Sequence, residues 1–425
     1  MVGSLERDRR VRRLSAAGAL AAAVITLVLV SPVLAGSRGP GDLDRSFGHG
    51  GLLVVNRAHD FANAVDIGRK GRIVVAGFDT IARRRPNGHP DRSFGKRGLV
   101  RLESGVYENP GSYVAVGSSA VAVGPKGAVF VAGRTCSGGC SDFAVSRLTP
   151  DGELDQSFGQ GGTARIGFEK PDSAALSIAI ATGGRLVVGG STCTSRSCKF
   201  ALARLDRNGE LDPSFGNGGR VTGSFGGGCS FPLGGMALDS RERIVVGGSC
   251  QSRIASLARF KPNGEPDRSF GHGGRVTRHV RINGVNALAV DSHDRIDLAG
   301  ENLNTFGVVR FGSGGKFDSS FGRHGIARAD FRRVDFANPH SLKLDSRDRI
   351  VVGGYAHARG LGFARFKPDG QINHRFGHDG TRTVGRSEGF SSADSVAIDR
   401  RDRIVAAGRQ KRNGNPHFGL ARLLG

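Results

Sequence analysis

A nine-residue phrase written seven times constrains this chain more than any other feature. LDRSFGHGG (43–51) returns as PDRSFGKRG (90–98), LDQSFGQGG (154–162), LDPSFGNGG (211–219), PDRSFGHGG (266–274), FDSSFGRHG (317–325) and, degraded, INHRFGHDG (372–380). Between the copies a second phrase recurs: RIVVAG (72–77), AVFVAG (128–133), RLVVGG (185–190), RIVVGG (243–248), RIDLAG (295–300), RIVVGG (349–354) and RIVAAG (403–408). Successive starts of the second phrase lie 52 to 58 residues apart, a period that marks a solenoid, a propeller or an array. After residue 35 no stretch sustains a 3.6-residue apolar period. Short Val- and Ile-rich runs between Gly, Asp and Asn clusters read as strands and turns.

Each period holds four such runs, in the fifth copy NALAVD (286–291), RIDLAG (295–300), FGVVRF (306–311) and GIARAD (325–330). Four consecutive antiparallel strands are the unit of a propeller blade. The first run has a small side (Ala64 and Asp66, Gly235 and Ala237, Ser341 and Lys343, Ser395 and Ala397) and a large side (Val65 and Ile67, Met236 and Leu238, Leu342 and Leu344, Val396 and Ile398). Small against large is what radial stacking near a crowded axis needs, so this strand is placed innermost. GLLVV (51–55) is a strand of the fourth type and FGLARL (418–423) one of the third type. The first strand is therefore expected to complete the last blade and remove a sheet edge. The predicted fold is all-β, a seven-bladed β-propeller of four-stranded antiparallel blades. The phrase D-x-S-F-G-x-x-G with RIVVGG at this spacing resembles the delta-60 repeat of bacterial exported β-propeller proteins. That resemblance implies the same fold and carries no catalytic residues with it.

Composition bears on partners more than on fold. With 61 basic and 38 acidic residues the formal charge is +23, and Gly is abundant at 68. A positive field of this size favours anionic partners, although Arg scattered over a solvated surface gives the same sum. The opening LERDRRVRR, the apolar residues 14–35 and the VLA before Gly36 read as a signal peptide cleaved after Ala35. Uncleaved, residues 14–35 are long enough for a membrane anchor. The expected organisation is residues 1–35 as signal peptide, 36–49 as a lead-in and 50–425 as one propeller, secreted or at the cell surface.

In such blades the turns carrying the SFG phrase and the DSRD-type turns share one face, and the longer, variable loops share the other. Variable loops on a repeated scaffold are where binding is sought. All six cysteines fall on the variable face, and topology pairs them as Cys136–Cys140, Cys193–Cys198 and Cys229–Cys250. A zinc site is the rival reading, but no His accompanies the pairs. The residue entering each innermost strand is Asn63, Ser119, Leu176, Gly234, Asn286, His340 and Asp394. Asn286, His340, Asp394 and Asn63 thus form a contiguous polar arc at the mouth of the central channel, the candidate ligand-binding residues. The His of the repeated phrase (His49, His272, His378) alternates with Lys96, Gln160, Asn217 and Arg323, so it reads as a turn residue, and its Phe as a plug between blades. RRR (83–85), FRR (331–333) and QKR (410–412) point to Arg on the variable face.

No P-loop, G-x-S-x-G or H-E-x-x-H motif occurs, and no metal or cofactor is implied. The leading expectation is a monomeric binding module for an anionic glycan, wall polymer or acidic protein. A hydrolase or lyase acting on polysaccharide through His340 and Asp394 is the alternative. Nucleic acid ranks last, because three Tyr and no Trp leave little for base stacking.

Overall fold

The structure, a computed structural model, describes residues 39–55, 61–102, 116–135, 142–168, 172–194, 197–225, 233–249, 251–412 and 415–425. The signal segment and Cys136, Cys140, Cys229 and Cys250 lie outside the described residues. Among the described residues there are 28 strands, one short 3-10 turn and no α-helix. Consecutive strands pair antiparallel in groups of four. In the fifth repeat these are Asn283–Val290, Ile296–Asn302, Thr305–Phe311 and Ile326–Ala329, close to the four expected runs. The groups of the sixth and seventh repeats share one eight-stranded sheet through the bridge Tyr355–Ser392. Strand Leu52–Val55 pairs with strand Asn415–Leu423, Leu52 opposite Ala421.

The first strands pack against one another in chain order, from Ala64–Ile67 to Phe390–Ile398, and the last packs back on the first. The small side of each faces this contact. A Cβ on Gly235 would collide with Leu288 of the following repeat. Where the column is polar, it serves the neighbouring backbone. Ser341 Oγ accepts from Val396 N–H at 3.1 Å, and Ser395 Oγ accepts from Val65 N–H at 3.2 Å. Asp66, an apparent exception, accepts from Val123 N–H at 2.7 Å. These acceptors satisfy edge N–H groups that the ladder leaves over.

The repeated phrase is the joint between repeats. Its Phe is buried in every copy: Phe47, Phe94, Phe158, Phe215, Phe270, Phe321 and Phe376. Over each ring lies an Arg guanidinium from the third strand of the same repeat, Arg83 at 4.4 Å from the centroid of Phe94 and Arg259 at 4.6 Å from Phe270. Arg259 Nε donates to Asp267 at 2.8 Å and its Nη1 to the Ser313 carbonyl of the next repeat. Arg83, Arg147, Arg204 and Arg422 repeat this with Asp91, Asp155, Asp212 and Asp44, reaching the carbonyls of Pro150, Arg207, Pro262 and Pro86. The next repeat's turn glycine caps the ring. Gly152, with φ +92°, has no Cβ to strike Phe94. RRR (83–85) is therefore not a patch on the variable face: Arg83 and Arg84 are buried, and Arg83 points its charge at the turn face.

Residues 39–49 are more than a lead-in, because Asp44, Ser46 and Phe47 complete the joint that holds Arg422. The fifth repeat varies the device. Arg310 takes Asp297 in a two-pronged pair at 2.7 Å, and burial, outweighing that pairing, pushes the Asp297 carboxyl up to about 6.

In the other copies burial raises the carboxyl, but hydrogen bonds from the Ser two residues on, with the Arg charge, hold Asp44, Asp91, Asp155, Asp212 and Asp267 below the usual carboxylate value. A depressed carboxyl contributes stability that is present above its unfolded value and lost as pH falls through the folded one. Urea midpoints should therefore drop steeply below about pH 4. Asp267→Ala, which leaves the Arg259 charge buried without its partner, should cost about 3–5 kcal/mol in urea unfolding at neutral pH.

Candidate functional site

In the third, sixth and seventh repeats the residue entering the innermost strand owes its position to a bulge. Register slips between Ala175 and Ser177, between Pro339 and Ser341 and between Ala393 and Ser395, so Leu176, His340 and Asp394 are the extra residues. Asn286 lies in a longer irregularity between Asn283 and Ala287. A bulge turns one side chain out of the alternation and aims it elsewhere. Its backbone cost appears in the second strand. A Cβ on Gly190, Gly300, Gly354 or Gly408, the last Gly of the RIVVGG phrase, would sit inside the carbonyl of Ala174, Gly284, Asn338 or Ser392. That glycine makes room for the bulge, and the bulge presents the candidate residue.

The structure brings His340 and Asp394 together, His340 Nδ1 lying 3.1 Å from Asp394 Oδ1. With Nδ1–H donating, Nε2 is left as an acceptor. Ser392 Oγ donates to the same Asp394 oxygen at 2.7 Å. On the other side, Asp394 Oδ2 is buried without a hydrogen bond, and Arg409 Nε stands 3.6 Å away. Asn286 is committed: its amide donates to Asn338 Oδ1 and to the Pro339 carbonyl, both at 2.9 Å, clamping the fifth repeat to the bulge of the sixth. Asn63 enters strand Ala64–Ile67, which packs against strand Phe390–Ile398, and its own N–H donates to Ala76 O at 2.9 Å.

Several residues were not singled out in the sequence. Arg409 directly follows RIVAAG and lies over the ring of Phe61 at 4.4 Å. The same position in the sixth repeat is Tyr355, whose ring is 6.4 Å from Phe336 and 6.2 Å from His357. Phe336 is 38% exposed, unusual for a large apolar side chain here. The signal was available: the residue after each Gly-terminated phrase reads Phe78, Arg134, Ser191, Ser249, Glu301, Tyr355 and Arg409, the kind of scatter that structure alone does not demand. Cys193 and Cys198 face each other across this same hairpin end in the third repeat and form a disulfide. The other two expected pairings fall outside the described residues.

On the opposite face, Asp291, His293 and Asp348 bring possible metal-ligand atoms within 4.8 Å of one another. Both carboxylates are already engaged, Asp291 by Arg295 at 2.5 Å and Asp348 by Ser292. The equivalent Ser240–Asp294 and Ser346–Asp402 contacts, both 2.9 Å, identify these turns as links between repeats.

If the phrase-ending glycine exists to admit the bulge, Gly408→Ala should displace Asp394. The expected result is a lower Tm together with a changed His340 ring signal in NMR spectra. An unchanged His340 signal would separate the glycine from the site.

A family model described as a β-propeller domain of unknown function (DUF5122) matches residues 127–158 and 184–215. Each matched stretch runs from the RIVVGG-type phrase through the next Phe of the SFG phrase, and so contains one complete Arg–Asp–Phe joint. No curated protein matches the chain in sequence. Among solved structures, a catalytically inactive variant of virginiamycin B lyase from Staphylococcus aureus with quinupristin is similar at a TM-score of 0.52 and 11% identity, over 87% of this chain and 98% of that one. The WD40 β-propeller domain of Doa1 is similar at 0.51 and 10% identity, over 87% and 97%. At these identities the likeness bears on fold alone, and with the two matched stretches it supports a β-propeller built from repeats of one family.

Proposed function

We propose that the chain is an exported seven-bladed β-propeller, closed by its first strand, that works as a binding module at or outside the cell surface. The 28 strands in groups of four, the cyclic packing of the first strands and the pairing of Leu52–Val55 with Asn415–Leu423 support the blade count and the closure. The Cys193–Cys198 disulfide supports an oxidising compartment.

One observation carries the binding reading: the variable face of the sixth, seventh and first repeats gathers ring faces and charge. Phe336, Tyr355 and His357 stand at one side, and His340, Asp394, Arg409 and Phe61 at the other, joined through the Tyr355–Ser392 bridge and the Ser392–Asp394 hydrogen bond. Exposed rings suit the CH faces of sugars, and Arg409 suits a carboxylate or sulfate. With the formal charge of +23, this favours an anionic glycan or wall polymer over an acidic protein. A binding screen of the mature protein against such polymers is the test. Tyr355→Ala and Arg409→Ala should each weaken the bound polymer on the order of tenfold, the loss expected at a central contact. Unchanged affinity in both would overturn the assignment of the face.

The His340–Asp394 hydrogen bond supports a second reading, a lyase or hydrolase in which Asp394 orients His340 as general base. Ser392 is bonded to Asp394 and not to His340 among the contacts formed, so a serine nucleophile activated by His340 is not assembled. Product release from a uronic-acid polymer by the parent, abolished in His340→Ala with polymer binding retained, would favour the enzyme. Absence of product from every polymer that binds would leave the module.

A further inference from the structure

The sixth repeat departs from the joint found elsewhere. Asn373 stands where the phrase has Asp, and Arg375 where it has Ser. Arg365 nevertheless keeps its place, 1% exposed, with its guanidinium 4.8 Å over Phe376. Its Nε and Nη1 are buried and have no hydrogen-bond partner. The Asn373 side-chain oxygen accepts from the Arg375 N–H at 3.3 Å, and a neutral amide does not offset a buried charge. Burial, followed by the charge of Arg349, pushes Arg365 down to about 10, which leaves it a cation at neutral pH.

Arg365 lines a cavity of about 680 Å³ on the turn face. Arg347 and Arg349 from the DSRD turn, Lys367, Arg375 and, from the seventh repeat, Arg401 share the wall with it. Asp402 is the carboxylate side chain in that wall, and it is in use: Ser346 donates to it at 3.0 and 2.9 Å, and Arg349 pairs with it at 3.3 Å. His374 is bonded to Asp379, and Pro40 and Gly425 complete the wall. The neighbouring cavity of about 610 Å³ shows the contrast. It is also lined by Arg, but its buried Arg422 is neutralised by Asp44 at 2.9 Å. A buried guanidinium without a paired carboxylate of its own, near Asp345 and Asp402 that Arg349 already engages, is complementary to an oxyanion. The volume falls in the range of small-molecule sites and exceeds that of a bare ion.

We propose that this cavity is an oxyanion site, in which the phosphate or sulfate group of a small polar ester supplies the negative charge that the Asp carboxylate supplies to the buried Arg of the other repeats. Arg375, Lys367 and Arg401 supply the surrounding charge. The site lies on the turn face and stands independently of the variable-face reading.

Calorimetric titration of the mature protein with inorganic phosphate and with sulfate, at ionic strength matched with chloride, tests it. Saturable binding of either ion is expected, and the tighter of the two identifies the ester. Both ions also stabilise proteins by exclusion from the surface, so the deciding comparison is with Asn373→Asp, which restores the internal pair of the other repeats. That variant should melt higher than the parent in chloride and bind the ion at least about tenfold more weakly, the loss of one charged hydrogen bond. Arg375→Ser, an exposed change, should also weaken binding while leaving the fold intact. Equal affinity in the parent and Asn373→Asp, or no saturable binding by the parent, would overturn the site. Polymer binding through Tyr355 and Arg409 should be unaffected by Asn373→Asp, so failure of one site is distinguishable from failure of the other.

Discussion

A guanidinium buried between two repeats is the interaction on which this architecture depends. Arg is the one side chain with enough fixed donors to serve both sides of the joint at once. Arg204 shows the division of labour: Nε to Asp212 at 2.9 Å and Nη2 to Ser214 at 2.8 Å within its own repeat, Nη1 to the Pro262 carbonyl of the next. Its ring partner Phe215 touches Gly264 of that next repeat on the other side. Each such Arg draws part of its hydrogen bonding from the next repeat, so stability is shared between nearest neighbours. The phrase is repeated because the joint is repeated.

That dependence also explains what could be read from the sequence. Strand order, the innermost position of the first strand and the small column were legible because seven noisy copies average out to one clear pattern. The joint was half legible. Phe and Gly of SFG stood out as burial and turn residues, while the Arg was lost in an Arg-rich composition. Yet Arg83, Arg147, Arg204 and Arg259 each precede their Asp by eight residues, a spacing that scattered surface charge has no reason to keep. The expectation that RRR (83–85) marked an exposed patch failed for this reason: its first Arg is part of the joint.

The candidate site was legible in position and not in chemistry. Aligning the copies placed His340 and Asp394 in one column, and they do touch. What alignment of columns does not reveal is a bulge, because the extra residue is absorbed without changing the phrases around it. Its trace is the glycine opposite, which a strand would otherwise fill with a side chain. Arg409 and Tyr355 escaped notice because they lie in the second strand just past the repeated phrase, and Phe61 because it precedes the first strand, positions where the repeats diverge in residue choice. In a propeller the variable residue immediately after an obligatory glycine is the one that chemistry is free to select.

The monotonous face, by the same logic, becomes informative where its monotony fails. A joint that is optional should lose Arg, Asp and Phe together when it decays. The sixth repeat loses only the acceptors, Asp to Asn373 and Ser to Arg375, while Arg365 and Phe376 remain buried and stacked. Keeping a buried cation after removing its carboxylate costs more than losing both, because the desolvation is retained and the attraction is not. Replacing the Ser by a further cation adds repulsion to that cost. Structural economy favours the opposite pair of changes, so the arrangement makes physical sense when the compensating charge comes from outside the chain.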